Sequence, residues 1–220
     1  MILPGLDYEN RYWRKGYRLV VGLDEAGRGP LAGPVVAGAV VVFPEIIKEI
    51  RKDPLYKLIR DSKTLSFHQR EKAFGFITDY FPFGMGWSSH ETIDRTNVMQ
   101  AAFLAMKKAL SDLKSKLGND IEAVLLDGRS LIPNISIEQE NILGGDKLIF
   151  SISAASIVAK VTRDRMMLAL HEKFPRYGFA KHKGYGTRLH FEMIEKYGPC
   201  EVHRKSFKPL TNISKKLKSS

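Results

Sequence analysis

Residues 18–43 read RLVVGLDEAGRGPLAGPVVAGAVVVF, and the rest of the chain is placed around them. The run RLVVGLD, residues 18–24, is apolar up to its final acid and reads as a buried strand. AGRGPLAGP interrupts it, and VVAGAVVVF, residues 35–43, resumes as a second strand of high β-propensity. Two apolar strands joined by a glycine-rich turn predict a β-hairpin at the start of the domain. The first strand ends on Asp24 and Glu25. Consecutive strand residues face opposite sides, so both acids serve one site only if the strand ends or bulges there. The following glycines supply that freedom and let a ligand approach the backbone closely. Taken alone, a solvated turn with an incidental acid pair accounts for the segment equally well.

Outward from this hairpin, residues 1–16 read as a short helical or irregular lead-in, and 44–66 as helical or irregular connection. Residues 67–81 predict a helix, and 83–94 a strand running into a loop. The clearest helix covers 94–117, where Val98, Ala101, Ala102, Ala105, Leu110 and Leu113 recur at helical spacing opposite a face of lysines. IEAVLLD, 121–127, is a short strand ending on an acid; 152–174 is a second long helix and 191–198 a third. Interleaved strands and amphipathic helices give the α/β class. The expected division is a lead-in over 1–17, a catalytic domain over 18–190 and a helical, basic extension over 191–220. From Arg204 to Ser220 there are six Lys/Arg and no Asp/Glu, so this tail is expected to be mobile or to dock only on a polyanion.

At 220 residues, 44% hydrophobic and 27% charged, the chain suits one globular domain with a modest appendage. No apolar run reaches the roughly 18–20 residues that span a bilayer, and no signal peptide is apparent at the N-terminus. A single cysteine, Cys200, excludes an intramolecular disulfide and a thiolate zinc site, which suits a reducing, cytoplasmic setting. The net charge of +11 favours a polyanionic partner, nucleic acid well before an anionic membrane.

Two further acids sit beside glycine at breaks in the pattern. Asp127 precedes Gly128 at a strand end, where ligand sites of α/β folds lie. Asp146 follows Gly144 and Gly145 in a loop approaching a helix, where an acid also satisfies free amides. Each alone is read more simply as a turn or a cap. Together with Asp24 and Glu25 on a basic chain, they suggest carboxylates gathered for hard divalent cations and phosphodiester chemistry with two metals.

Six blocks then converge in order: GLDEAGRGPLAGPVVAGAVV, DSKTLS, IDRTNVMQAAFLAM, LLDG, GGDKLIFSISAASIVAKVTRDR and HKGYGTRLH. From Val21 to Phe207 the chain resembles the type 2 ribonucleases H, specifically the bacterial ribonuclease HII family. The resemblance implies a ribonuclease H-like fold, with a central mixed β-sheet flanked by helices and a small helical C-terminal region. It implies Asp24, Glu25, Asp127 and Asp146 as catalytic ligands of two Mg²⁺ or Mn²⁺ ions. The implied activity is endonucleolytic hydrolysis of the phosphodiester 5′ of ribonucleotides, in RNA–DNA hybrids and at single ribonucleotides within duplex DNA. Its products carry 3′-hydroxyl and 5′-phosphate ends, and the implied enzyme is a monomer. Gly27, Arg28 and Gly29 match the segment whose backbone senses the 2′-hydroxyl, and Tyr185 the ring that stacks on the sugar after the ribonucleotide. Ser62, Lys63 and Asn97 fall in blocks that line the substrate groove, though a turn and a helix-terminal polar residue explain them as well. Lys160 and Arg163 share a helix face expected near the nucleic-acid backbone, unless Lys160 merely pairs with Asp164.

The chain departs from the family pattern at Gly144, where a basic residue is usual, and its tail shows no glutamine-plus-aromatic clamp-docking motif. His182, His190 and His203 are expected on the groove or surface, and Cys200 as a packed thiol without a catalytic part. The rival readings are a ribonuclease HIII-like enzyme and, from another class, a non-catalytic hybrid-binding protein. The first normally carries an N-terminal platform and a GTG-like turn, and the second has no use for a carboxylate cluster.

Overall fold

A computed structural model describes residues 3–208, 210 and 211. Strand β1, Val20–Ala26, pairs antiparallel with β2, Val35–Val41, which pairs antiparallel with β3, Phe83–Ser88. On its other side β1 runs parallel to β4, Ala123–Asp127, and β4 parallel to β5, Glu138–Ile142. The order is therefore β3-β2-β1-β4-β5, a mixed sheet with the hairpin at its centre.

Helices α1, Asp7–Arg14, and α2, Pro44–Ile50, flank the hairpin in sequence, and α3 covers Phe67–Tyr80. α3 starts on a capping box in which Ser66 and Gln69 bond each other's backbone amides. Short α4, His90–Arg95, leads into α5, Val98–Leu117. After the sheet come a four-residue turn of helix, α6, Gly145–Leu148, and then α7, Phe150–Lys173. α8, Phe179–His182, and α9, Arg188–Tyr197, follow. The small helices α4 and α8 escaped the periodicity reading because neither is long enough to show a period. β5, EQENI, escaped because it is a polar edge strand with no apolar alternation.

The two long helices cover opposite faces of the sheet. α5 lies closest to β3, its Ala105, Ala109 and Leu113 against Gly84 and Gly86, and shares one apolar cluster with Val21, Leu23, Val124 and Leu126. α7 packs Ile152 on Val20, Ala123 and Leu125, and Ala154, Ile157 and Val158 near Val40. α7 is buried almost throughout its first half, which is why its pattern reads apolar all round. Its N-terminus is tied to the lead-in: buried Glu9 of α1 accepts from the Ser151 amide at 2.9 Å. α9 runs across the division drawn at residue 190. Among the described residues no helix is long and apolar enough to cross a membrane. The tail beyond residue 211 lies outside the described residues. Arg204, where the mobile tail was expected to begin, is fully buried, so that start is corrected.

Candidate active site

Parallel β1 and β4 end at the same edge of the sheet, with Leu23 beside Leu126. Side chains alternate along each strand. Val21, Leu23, Val124 and Leu126 face α5, so Asp24 and Asp127, one residue further on, face α7. Asp146 comes to them from the first turn of α6. One carboxylate oxygen from each of Asp24, Asp127 and Asp146 lies within 4.8 Å of the others. Local bonds hold this arrangement. The Gly145 amide donates to Asp127 Oδ1 at 2.8 Å, and the Ser153 hydroxyl to the Asp146 carbonyl at 2.6 Å. Gly144 has φ 72°, a left-handed conformation that favours glycine over the basic residue usual in the resembling family.

Glu25 does not join this trio. The strand neither ends nor bulges at the acid pair: Asp24, Glu25 and Ala26 stay in register with Gly38, Ala37 and Val36. Glu25 therefore points to the α5 side, where Arg28 bonds it at 3.1 Å. Its charge still bears on the trio. Burial raises the Asp24 pKa well above the carboxylate range, and the Glu25 and Asp127 charges push it further. Burial also raises Glu25, with Arg28 pulling the other way, and raises Asp127, where Asp146 adds to the shift. Lys63 Nζ bonds Asp146 Oδ2 at 3.0 Å and is the cation at this edge of the trio. One lysine cannot neutralise three clustered acids. A set of hard oxygen donors with excess negative charge fits a divalent cation.

Beside the acids, residues 27–34 form the connection between β1 and β2, and two buried arginines hold it from beneath. Arg204 donates to the carbonyls of Gly27, Arg28, Gly33 and Pro34 over 2.6–3.2 Å. Arg163 donates to Pro34 at 3.0 Å and to Ala32 at 3.3 Å. Both are fully inaccessible. The Arg163 reading as a direct phosphate contact is thereby corrected: the helix face it shares with Lys160 turns under the loop. Burial and the neighbouring Arg163 bring Arg204 down to about 9. Gly27 has φ 101°, and a Cβ there would collide with the Arg163 side chain. The backbone amides of exposed Arg28 and Gly29 bond no acceptor among the described residues. Nothing in the residue pattern marks Arg204; periodicity cannot tell a buried arginine from one in a basic tail.

Tyr185 closes the other side of this loop. Its ring edge would lie 3.9 Å from a Cβ at Gly29, and it is 44% exposed, so its face is open. The Lys160 ammonium and Arg163 guanidinium lie 5.9 and 5.8 Å from the ring centre. Lys160 also forms the ion pair with Asp164, at 2.7 Å. It lines a cleft with Arg70, Lys181, Lys183, Phe67 and Tyr185, a basic wall with aromatic rings. Ser62 is buried in a turn that Asp61 caps, and exposed Asn97 caps α5 through the Gln100 amide at 2.9 Å. Of the histidines expected on the groove or surface, His182 lines the cleft beside Tyr185, whereas His190 and His203 are on neither. All three are buried, behind Tyr185, because their ring nitrogens find partners within the fold.

The fold is that of a solved ribonuclease H2 from Pyrococcus horikoshii OT3. The likeness has a TM-score of 0.69 at 26% identity over 91% of this chain and 99% of that one. With three acids gathered at the carboxyl ends of the central strands, the class is the ribonuclease H-like nucleases, hydrolases of phosphodiesters. The family model described as Ribonuclease HII matches residues 21–210. A ribonuclease HII of Caldicellulosiruptor bescii is 45% identical over 208 residues, 94% of each chain. Another from Polynucleobacter asymbioticus is 48% identical over 195 residues, 88% of this chain and 95% of its own. The chain belongs to the ribonuclease HII family.

Proposed function

We propose that the protein is an endoribonuclease acting on RNA–DNA hybrids and on single ribonucleotides embedded in duplex DNA. It cuts 5′ of the ribonucleotide and leaves 3′-hydroxyl and 5′-phosphate ends. The observation that carries this reading is the convergence of Asp24, Asp127 and Asp146 within 4.8 Å of one another beside a loop with free amides. The three aspartates would hold Mg²⁺ or Mn²⁺, two ions once substrate is bound, with Glu25 contributing from the α5 side. Divalent ions there supply an activated water and stabilise charge on the leaving oxygen.

The chain's own residues do the selecting. Arg163 and Arg204 draw loop carbonyls inward, and the glycines leave no side chain to hold the backbone off the sugar. In this reading the Arg28 and Gly29 amides sense the 2′-hydroxyl, and Tyr185 stacks on the next sugar only when it lies flat, as at an RNA–DNA junction. Lys160 and its basic cleft follow the phosphate backbone, with Lys63, Ser62 and Asn97 at the groove's other elements. Base edges are not read, so affinity is largely electrostatic and falls with salt. Every proposed site residue comes from one chain, which suits a monomer.

The test is cleavage of a labelled DNA duplex containing one ribonucleotide, with and without Mg²⁺ or Mn²⁺. A single metal-dependent cut 5′ of the ribonucleotide supports the reading. Cutting confined to long RNA tracts removes the junction-sensing role of Tyr185. Tight binding without cutting of either substrate overturns catalysis and leaves a hybrid-binding protein.

A further inference from the structure

Behind Tyr185 runs a chain of hydrogen bonds that admits one arrangement of protons. At one end the Tyr185 carbonyl, which can only accept, lies 2.9 Å from His190 Nδ1, so that nitrogen carries a proton. At the other end His203 Nδ1 lies 3.0 Å from the Cys200 amide, which can only donate, and 3.2 Å from the Cys200 carbonyl, which can only accept. The Cys200 thiol, 3.1 Å from the same nitrogen, can donate to it as well. A neutral imidazole has one N–H. His190 Nε2 is therefore bare, and it faces His203 Nε2 at 3.0 Å; that contact needs one proton, so His203 Nε2 is protonated and its Nδ1 bare. A bare His203 Nδ1 then accepts from the Cys200 amide, whose own carbonyl is already bonded by the His203 backbone amide at 3.1 Å.

The surroundings keep the pair neutral and immobile. Both rings are fully buried, against the Phe179 ring at 5.6 and 5.8 Å. His182 stacks on His190 with centroids 4.3 Å apart. Its Nδ1 accepts from the Gly184 amide at 3.2 Å, and its Nε2 donates to the Tyr177 carbonyl at 2.8 Å. Gly184 in turn accepts from the Leu31 amide at 2.8 Å, joining the Tyr185 segment to the β1–β2 loop. The titratable groups facing the pair are His182, Tyr177, Cys200 and His90, with Lys183 beside His182 and Arg204 next to His203 in sequence. Burial lowers both rings to about 4, so both are neutral near pH 7. A second proton on His190 would set two N–H groups against each other at Nε2, and one on His203 would set Nδ1–H against the Cys200 amide; either breaks the chain.

We infer that His190 and His203 are positioning residues for Tyr185: their proton-ordered chain fixes the backbone that presents this ring to the sugar beyond the ribonucleotide. The inference deepens the proposed function and rests on the reading of Tyr185 given there. It makes junction discrimination depend on two histidines that do not touch the substrate.

The test begins with the full-length wild-type protein, whose histidine tautomers are read at pH 7 from long-range ¹H–¹⁵N spectra. The chain requires His190 protonated at Nδ1 and His203 at Nε2; the opposite tautomer at either ring overturns it, without any variant having to fold. Steady-state cleavage of the single-ribonucleotide duplex then separates positioning from bulk stability. His190→Phe removes the donor to Tyr185 and is expected to raise KM roughly tenfold, with kcat within about threefold of wild type. His190→Asn keeps an N–H near the Nδ1 position and is expected to return KM to within about threefold of wild type. An unmoved KM in His190→Phe, or His190→Asn no better than His190→Phe, overturns the inference. Tyr185→Ala is measured alongside. If it leaves KM and junction preference unchanged, the inference falls through its premise, and the tautomers show separately whether the chain itself exists.

Discussion

The carboxylate cluster and the histidine cluster are both buried and polar, yet they are built on opposite terms. Asp24, Asp127 and Asp146 share one space with like charges and too few donors, and burial raises the pKa of Asp127 and lifts that of Asp24 well above the usual carboxylate range. His182, His190 and His203 have donors matched to acceptors throughout and stay neutral. A buried like-charge cluster persists only where something else supplies the missing charge. A satisfied network needs nothing added and serves as scaffold. The difference teaches where to look for a ligand: at the cluster left electrostatically unresolved.

The two clusters also carry opposite pH signs. A carboxylate whose folded pKa is raised holds its proton more tightly in the folded state, so its contribution to stability is lost as pH rises from the unfolded value of about 3.9 through the folded one. A histidine whose folded pKa is lowered contributes stability that is lost as pH falls from about 6.5 toward the folded value.

The sharpest way to break the contrast is to neutralise one acid. Asp24→Asn keeps the acceptor for the Glu25 amide at 2.7 Å while removing the buried charge. Cleavage is expected to fall roughly a thousandfold or more, while metal-free stability near pH 7 rises by about 1–2 kcal/mol. Denaturant unfolding beside the cleavage assay checks both; a variant destabilised without metal would show that the acids are not in conflict.

Next in size is Arg204→Met, which leaves the carbonyls of Gly27, Arg28 and Gly33 without their buried donor. A loss of about 3 kcal/mol in urea unfolding is expected, with cleavage reduced as the loop relaxes. The histidine limb follows. Both rings titrate near 4 when folded, so stability should fall by a few kcal/mol between about pH 6.5 and 4. The double variant His190→Phe/His203→Phe should flatten that limb in stability measured against pH, even if its plateau is lower. The smallest effect belongs to Lys160→Met at the basic cleft. Binding to hybrid duplex should weaken a few-fold, and the slope of log affinity against log salt should shrink by about one phosphate contact.

The sequence made the framework legible where a side-chain period survives folding. β1, β2, β4, α3, α5 and α7 are long or apolar enough to announce themselves. Asp24, Asp127 and Asp146 were legible because acids beside glycine at strand ends have few structural uses in combination. Glu25 shows the limit: the pair looked like one unit, but an uninterrupted strand sends its two members to opposite faces. The residues that hold the β1–β2 loop and the Tyr185 segment were not legible. Arg163, Arg204, His190 and His203 belong to types usually found outside, and their burial depends on carbonyls and rings distant in sequence.

The central claim is that the three converging aspartates form a metal centre, and Mn²⁺ binding tests it most directly. Calorimetric titration of the full-length protein near pH 7, wild type against Asp24→Asn, is the measurement. The account predicts at least roughly tenfold weaker binding in the variant, and proton release on binding by the wild type that diminishes in the variant. Equal affinity in both proteins, with no proton released, would contradict it.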